Sequence, residues 1–240
     1  MIRVAAVGDI HMGPESNGLL RPAFETLSDC ADLLLLAGDL TRHGTVDEAR
    51  VVAQEVEDLP VPVVAVLGNH DHHGDRPDEI TTLLEKSGVR MLEGGSTVVA
   101  AGGARVGVAG TKGFGGGFAG RCAGEFGESV MKEFVRHSRA CADGLRTALD
   151  ELSRTDCDVR IALTHFSPVP DTLAGEPLEI YPFLGSYLLA EAIDAAGADL
   201  AVHGHAHSGT EHGMTSGGVQ VRNVAQPVIG RAFHVYNLGG

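Results

Sequence analysis

The chain has 240 residues, 43% of them hydrophobic and 21% charged, so it can bury a sizeable core and does not have the composition of a disordered protein. Its formal net charge of −14 argues against a general nucleic-acid binder and against docking on anionic lipid. The longest apolar runs are too short to cross a bilayer, no signal-peptide pattern opens the chain, and the four cysteines are widely spaced. These features predict a cytoplasmic protein with no membrane and no stable nucleic-acid partner.

The first half of the chain alternates short apolar runs with amphipathic segments. Strands are predicted at 4–7, 32–37 and 61–67, and helices at 22–27, directly after Thr45, and at 77–86. Thr45 and Glu48 have the spacing of a capping box, which marks the start of the second helix. This alternation is typical of an α/β fold with parallel strands.

The second half has a different character. A Gly-Gly pair at 102–103 between two strand-like runs predicts a β-hairpin, and the glycine-rich stretch 113–127 predicts a loop. The remaining predicted elements are a helix at 143–152, a strand at 159–164, a proline-rich loop at 167–182, a helix at 187–196, and strands at 199–202, 219–224 and 233–236. No internal repeat or linker is visible, so we predict one domain over 1–240 with parallel and antiparallel pairing.

Five short segments rich in aspartate and histidine follow predicted strands. They are Asp9-Ile10-His11, Gly38-Asp39, Gly68-Asn69-His70-Asp71, Thr164-His165 and Gly204-His205-Ala206-His207. Ligands of α/β sheets gather at the carboxyl ends of strands, so the five segments are expected to converge on one crevice.

The residue types in these segments indicate a metal site. Carboxylate, imidazole and amide donors suit Mn, Fe, Co, Ni or Zn, whereas a structural zinc finger would need thiolates. The candidate ligands are Asp9, His11, Asp39, Asn69, His165, His205 and His207. Seven ligands exceed what one tetrahedral ion needs and are enough for two ions that share a bridging carboxylate.

Taken in order, the five segments resemble the pattern of the calcineurin-like metallophosphoesterase superfamily, which reads D-x-H, GD, GNH(D/E), a lone His and GHxH. The resemblance extends from Asp9 to His207, most of the chain. It implies an α/β fold of four layers, in which two mixed β-sheets pack as a sandwich flanked by helices. It also implies an enzyme that hydrolyses phosphate esters.

The resemblance further implies a role for each residue. One metal ion would be held by Asp9, His11 and His207, and the other by Asn69, His165 and His205. Asp39 would bridge both ions together with a hydroxide that attacks phosphorus. His70 would contact a phosphate oxygen and protonate the leaving group as general acid. Asp39 and His70 are therefore the predicted catalytic residues.

The second and third motifs look like those of the cyclic-nucleotide phosphodiesterase branch, so diesters of small molecules are the expected substrates. Arg42 and His43 stand where the Ser/Thr protein phosphatases carry an acid and an arginine, which argues against protein phosphatase activity. Two alternatives are a non-catalytic interaction scaffold of the same fold and a nuclease that acts on short oligonucleotides.

Other residues near the motifs have two readings. Arg42 and His43 either face the substrate phosphate or cap the turn before the helix that follows Thr45. His72 and His73 are expected in a solvated loop, the alternative being contact with the substrate or with the residues around the site. His203 is expected to be a buried, hydrogen-bonded support.

The glycine-rich loop is either merely flexible or a mobile flap that presents Lys112, Phe114 and Phe118 to the substrate. In the long loop after His165, the segment 181–183 either forms an aromatic wall or packs as ordinary loop.

Overall fold

The computed structural model describes residues 1–239. The strands are β1 (Ile2–Val7), β2 (Leu33–Ala37), β3 (Val63–Val66), β4 (Val89–Met91), β5 (Gly95–Ala101), β6 (Ala104–Thr111), β7 (Gly117–Phe118), β8 (Arg121–Cys122), β9 (Val159–Thr164), β10 (Leu200–His203), β11 (His212–Met214), β12 (Gln220–Asn223) and β13 (His234–Leu238). The α-helices are α1 (Arg21–Phe24), α2 (Leu27–Cys30), α3 (Val46–Val56), α4 (Pro77–Lys86), α5 (Ser129–Ser153), α6 (Tyr181–Leu184), α7 (Tyr187–Ala196) and α8 (Gln226–Ile229). Four 3-10 turns lie at Pro14–Ser16, His70–His72, Asp171–Leu173 and Leu178–Ile180.

Two mixed sheets form the centre of the molecule. The first has the strand order β13-β1-β2-β3-β4, parallel except where β13 pairs antiparallel with β1. The second has the order β11-β12-β10-β9-β6-β5, parallel from β12 to β6 and antiparallel at both edges. β7 and β8 form a separate two-stranded ribbon.

The two sheets pack face to face because their strands are apolar on both sides. Along β2, Leu33 and Leu35 point into the layer between the sheets, where they meet residues such as Ile161 of β9. Leu34 and Leu36 point the other way, into a second apolar layer shared with α3 and α4. This two-residue alternation places every side chain of the strand in a core, as expected for a strand covered on both faces.

Helices α5 and α7 cover the outer face of the second sheet. Leu145 and Leu149 of α5 pack with Leu189 and Ile193 of α7 over this face. The order of layers is therefore helices, sheet, sheet, helices, and the α/β class with two mixed sheets flanked by helices is confirmed.

Several predicted elements are confirmed to within a few residues. α4, α7 and β9 have the predicted bounds, and Thr45 and Glu48 form the reciprocal hydrogen bonds of a capping box at the start of α3. The hairpin closes through Gly102 and Gly103, whose φ angles of 58° and 80° give the turn that two-residue hairpins favour.

The structure corrects other predictions. α5 begins at Ser129, fourteen residues before the predicted 143–152 helix, because its inward face there carries Ser138 and Ala142, which are weak hydrophobic markers. The predicted helix 22–27 is two short helices, and the hydroxyl of Thr26 donates to the carbonyl of Ala23 between them, a local bond that competes with helix continuation. The short strands β4, β7, β8 and β11 were not predicted.

Within residues 1–239, no helix is both long enough and apolar enough to cross a membrane. All four cysteines are free thiols.

Candidate metal centre

The five motif segments lie together at one edge of the sandwich. Asp9 and His11 follow β1, Asp39 follows β2, and Asn69 follows β3, so the first sheet supplies these four. The second sheet supplies three histidines from the ends of β9 and β10, namely His165, His205 and His207. The site therefore straddles the two sheets, as the carboxyl-end rule predicts.

Three groups of side chains among the described residues bring ligand atoms within 4.8 Å of one another. They are Asp9, His11 and His207; His11, Asp39 and His70; and Asp39, His165 and His205. Neighbouring groups share a member, because His11 belongs to the first two and Asp39 to the last two. The donor groups thus form one continuous array with Asp39 inside it.

Glycines allow the carboxylates to lie this close to the backbone. A Cβ at Gly68 would overlap the Asp39 carboxylate, and a Cβ at Gly204 would overlap that of Asp9. At both places only a residue without a side chain leaves room for the aspartate that the neighbouring loop presents.

Four of the predicted ligands have left-handed backbone conformations. The φ angles are 56° at Asp9, 41° at His11, 50° at Asp39 and 71° at His205. Such angles are uncommon for residues other than glycine and cluster at functional sites, where the surrounding structure compensates their cost. The loops are bent in this way where they point side chains into the crevice.

The group around His165 has an arrangement of donors that fits a cation. Nδ1 of this fully buried ring lies 2.8 Å from the carbonyl oxygen of Ala37, so Nδ1 carries the proton and donates it. Nε2 then presents a lone pair, yet it lies 2.9 Å from Oδ1 of Asn69 and 3.3 Å from Oδ1 of Asp39. Three electron-pair donors with no proton between them are what a metal ion requires, and a backbone carbonyl behind the ring is its usual support.

The other end of the array is also rich in donors. Nε2 of His207 lies 2.8 Å from Oδ1 of Asp9 and 3.5 Å from Nε2 of His11. The hydrogen bond with Asp9 raises the pKa of His207, so a proton holds this pair together in a position that a divalent cation could take. Imidazole and carboxylate donors here fit the same transition metals as the first group.

Burial keeps the deeper histidines neutral. Desolvation lowers the pKa of His165 to about 4 and, with the neighbouring charge of His165, that of His205 to about 4. Burial also lowers the pKa of His11. At neutral pH these rings therefore offer lone pairs, which is the state that metal ligation needs.

His70 stands at the open side of Asp39. Its backbone N–H donates to Oδ1 of Asp39 at 2.8 Å, and its Nε2 lies 3.9 Å from Oδ2 of the same carboxylate. Its Nδ1 donates to the carbonyl oxygen of Arg42 at 2.7 Å. A backbone carbonyl, and not a carboxylate, therefore orients this ring and leaves Nε2 facing the crevice.

Asp71 joins two of the motifs, a role the sequence did not reveal. Its buried carboxylate accepts hydrogen bonds from the backbone N–H groups of Gly68, Leu40 and Thr41 and from the hydroxyl of Thr41. Burial raises its pKa to about 6, and the nearby charge of Asp39 adds to this. The residue fixes the loop after β2 against the loop after β3.

Some polar residues near the candidate metal centre support its loops, and others lie at its periphery. His203 is buried, and its Nδ1 donates to the carbonyl oxygen of Gly204 at 2.7 Å while its Nε2 pairs with the hydroxyl of Thr172 at 2.8 Å, so the predicted support is confirmed. His43 binds Glu48 at the start of α3 and thus takes the capping role. Arg42 forms an ion pair with Glu15.

The two histidines after the third motif differ from each other. His73 is exposed and its ring centroid is 4.4 Å from that of His70. His72 is half-buried, and its Nε2 has no hydrogen-bond partner within the described chain. The prediction of a solvated loop therefore holds for His73 and is wrong for His72, which the loop turns inward beside Leu67 and Glu93.

A pocket of about 400 Å³ with aromatic walls opens beside the crevice. Asn69 and His205 form one side of it, and Phe114, Phe134, Phe166 and Phe183 form the rest together with a few neighbours. Sequence reasoning missed Phe134, which lies in the unpredicted half of α5, and Phe166. The adjacency of Phe166 to His165 was the available signal for the latter.

The start of the glycine-rich loop is firmly held. Gly116 donates to the carbonyl oxygen of Pro182 at 2.7 Å and Gly117 to that of Gly185 at 2.8 Å. Phe118 is buried against Leu184 and does not line the aromatic pocket, whereas Phe114 does. The hypothesis of a mobile flap thus remains a prediction only for the exposed part of the loop that follows Phe118.

Comparison with known proteins gives a consistent result. A family model described as calcineurin-like phosphoesterase matches residues 2–209. A probable cyclic nucleotide phosphodiesterase from Synechococcus sp. is 29% identical over a 96-residue alignment, and the match covers 36% of this chain and 36% of that protein. The aligned part therefore spans about a third of that relative's length.

Two solved structures share the fold at low sequence identity. The phosphopantetheinyl hydrolase from Mycobacterium tuberculosis gives a TM-score of 0.66 with 16% identity, covering 92% of this chain and 88% of that one. An anchor protein of the inner membrane complex of Plasmodium gives 0.56 with 12% identity, covering 94% and 72%. The family model covers most of the sequence and includes all five motif segments, and the four-layer fold agrees with it, so this chain belongs to the calcineurin-like phosphoesterase family.

Proposed function

We propose that the protein is a hydrolase of small phosphodiesters that works with two transition-metal ions drawn from Mn, Fe, Zn, Co and Ni. The observation that carries this proposal is the donor array, in which the group at Asp9 and the group at His165 are joined through a middle group that contains His11 and Asp39. Family membership supports phosphate-ester hydrolysis with divalent metals, and the array supports two ions in place of one.

The proposed ligand sets are those that the family resemblance implies, and the contacts between the side chains support them. Asp9, His11 and His207 would hold one ion, and Asn69, His165 and His205 the other, with Asp39 shared between them. When bound, such a pair of ions supplies Lewis-acid polarisation of the phosphoryl oxygens and lowers the pKa of bound water. Aspartate, asparagine and histidine side chains, placed by the loops at the strand ends, provide these ligands.

His70 is proposed to donate the proton that the leaving oxygen needs. Its Nδ1–H is held by the Arg42 carbonyl, so a second proton on Nε2 would point into the crevice beside Asp39. The backbone N–H of His70 holds the Asp39 carboxylate from the same loop. His70 thus holds the shared ligand Asp39 through its backbone N–H and places its own ring, the proposed proton donor, beside that ligand.

The preference for diesters is supported by the similarity to the probable cyclic nucleotide phosphodiesterase of Synechococcus sp. and by the second and third motifs. The substrate partner proposed is a small phosphate ester. The net charge of −14 favours neither a nucleic-acid nor a membrane partner, and a cytoplasmic location remains a prediction.

The test compares bis-p-nitrophenyl phosphate with p-nitrophenyl phosphate, with Mn²⁺ supplied, for the wild type and for Asp39→Ala. We expect the diester to be hydrolysed faster and about two metal ions per chain by elemental analysis. Asp39→Ala should lose metal and at least about 10³-fold in kcat/KM, because it removes a ligand shared by both ions. Asp47→Ala, an exposed aspartate of α3, is the matched control.

Two results would overturn the proposal. Full activity of Asp39→Ala would remove the shared ligand from the mechanism. Wild-type protein that binds no metal and hydrolyses neither ester would favour the interaction scaffold.

A further inference from the structure

The aromatic pocket beside the crevice is continuous with the candidate metal centre. Asn69 and His205 belong to both, so a group attached to a phosphate in the crevice can reach the pocket. No residue of the pocket other than these two has a part in the proposed chemistry. The pocket therefore has no role in the reaction as described so far.

The inner wall of the pocket packs against the proposed metal ligands. The ring of Phe166 packs 4.3 Å from that of His205 and 5.7 Å from that of Phe114, measured between centroids. The ammonium of Lys112 lies 4.9 Å from the centroid of Phe114 and 5.3 Å from that of Phe166, within the range of cation–π attraction. The rings thus pack against one another, against His205 and beneath the Lys112 ammonium.

The outer wall leaves large apolar side chains in water. Phe183 is 60% exposed although it lines the pocket, and Ile180 beside it is 37% exposed. The backbone of Phe183 is nevertheless held, since its carbonyl oxygen accepts a hydrogen bond from Nε2 of His205 at 3.2 Å. A fixed backbone that presents exposed aromatic and aliphatic surface at a pocket mouth is typical of a binding site.

We infer that this pocket binds a planar aromatic group of the substrate, so that the enzyme acts on phosphate esters that carry an aryl ring within reach of phosphorus. The inference rests on the proposed function and specifies its substrate class. An aryl ring can pack against phenylalanine side chains through offset-stacked and edge-to-face contacts. Sugar hydroxyls would be left without partners against such walls, which costs free energy, so a plain aryl group is favoured over a bare carbohydrate.

The size of the pocket agrees with this occupant. A volume of about 400 Å³ lies within the range of small-molecule sites and accommodates a bicyclic ring. The same ring chemistry occurs in aryl esters and in nucleobases, and the substrates chosen for the test separate these two sources.

Binding is measured first, because it needs no turnover. The probe is 1-naphthylmethylphosphonate, whose carbon–phosphorus bond resists hydrolysis, and methylphosphonate is its competitor without a ring. The protein contains no tryptophan, so naphthyl fluorescence anisotropy can be recorded free of that background. The protein is supplied with Zn²⁺, and we expect the naphthyl compound to bind at least about tenfold more tightly than methylphosphonate.

Variants identify the pocket as the place of binding. Phe183→Ala changes an exposed side chain and Phe114→Leu a half-buried one, so at least the first should fold normally. Each is expected to weaken naphthyl binding several-fold. Phe126→Ala is the matched control, since Phe126 is 91% exposed and lies outside the pocket. Equal binding of the two phosphonates, or naphthyl binding unchanged in both pocket variants, would overturn the inference.

Kinetics then separate this inference from the proposed function. Three diesters share a methyl ester, whose release as methanol is measured, and differ in the second ester group, which is 1-naphthylmethyl, thymidine 5′ or a second methyl, so that the methyl compound carries no ring. Faster hydrolysis of the naphthylmethyl or thymidine compound than of the dimethyl compound supports the pocket and identifies which ring it prefers. Hydrolysis of all three at equal rates overturns the pocket alone. Naphthyl binding without hydrolysis of any ester supports the pocket and overturns the proposed function.

Discussion

The metal crevice and the aromatic pocket share two residues but are built in opposite ways. Each ligand of the crevice follows a buried strand by a few residues, so the two sheets determine its position. The pocket is assembled from the loop after β6, the first half of α5 and the long loop after β9. The crevice is polar and is buried at Asp9, Asp39 and His165, whereas the pocket is apolar and open at Phe183.

This difference separates two properties of the molecule. A site fixed by strand ends tolerates little displacement, and it supplies chemistry that any phosphate ester needs. Walls supplied by loops and one helix can change without moving the ligands, and they select what the phosphate carries. Substitutions should therefore separate into those that lower all activity and those that change only the preference among esters.

The largest effect expected in this comparison is that of His70→Ala. The variant should retain both metals, because His70 is outside the two proposed ligand sets, while kcat falls by about 10²–10⁴-fold with every ester. Elemental analysis measures the metal content, and kcat is determined for every ester of the series. His212→Ala, an exposed histidine of β11, provides the control, and a normal kcat in His70→Ala would exclude the proposed proton donor.

A pair of glycine substitutions tests the separation directly. A Cβ at position 68 would overlap the carboxylate of Asp39, so Gly68→Ala should weaken metal binding and lower kcat/KM for all esters by up to about 10²-fold. A Cβ at position 115 would lie 2.6 Å from the carbonyl oxygen of Pro182, so Gly115→Ala should move the pocket wall.

Gly115→Ala is expected to lower the ratio of naphthylmethyl to dimethyl ester hydrolysis several-fold while metal content stays at the wild-type level. If both glycine variants lowered the hydrolysis of all esters in parallel, the pocket wall could not be moved without disturbing the crevice. The proposed independence of the two regions would then be wrong.

The smallest effect concerns the connection between the second sheet and the loop after β9. Thr172→Val removes the partner of the buried Nε2 of His203 and should lower the free energy of unfolding by about 1–3 kcal/mol. Thr147→Val, on the exposed face of α5, is the control. Urea unfolding measures the difference, and equal midpoints for both variants would show that His203 needs no such support.

The crevice and the pocket also differ in how much of each could be predicted from the sequence. The ligands were predictable because strand, glycine and ligand are adjacent in the chain, as in β2 followed by Gly38-Asp39. Phe134 meets Phe114 across many residues, with ring centroids 5.1 Å apart, and only the packing of α5 on the second sheet brings them together. The orientation of His70 was also hidden, since its partner is a backbone carbonyl, which every residue possesses.

One consequence of the site's position concerns unfolding. Its proposed ligands come from both sheets, so ions bound there would cross-link two layers whose shared core is apolar. A ligand present at 100 times its dissociation constant adds about 2.7 kcal/mol to the stability of the folded state. Chelators should therefore lower the melting temperature of this protein as well as its activity, and storage with metal should slow the separation of its two sheets.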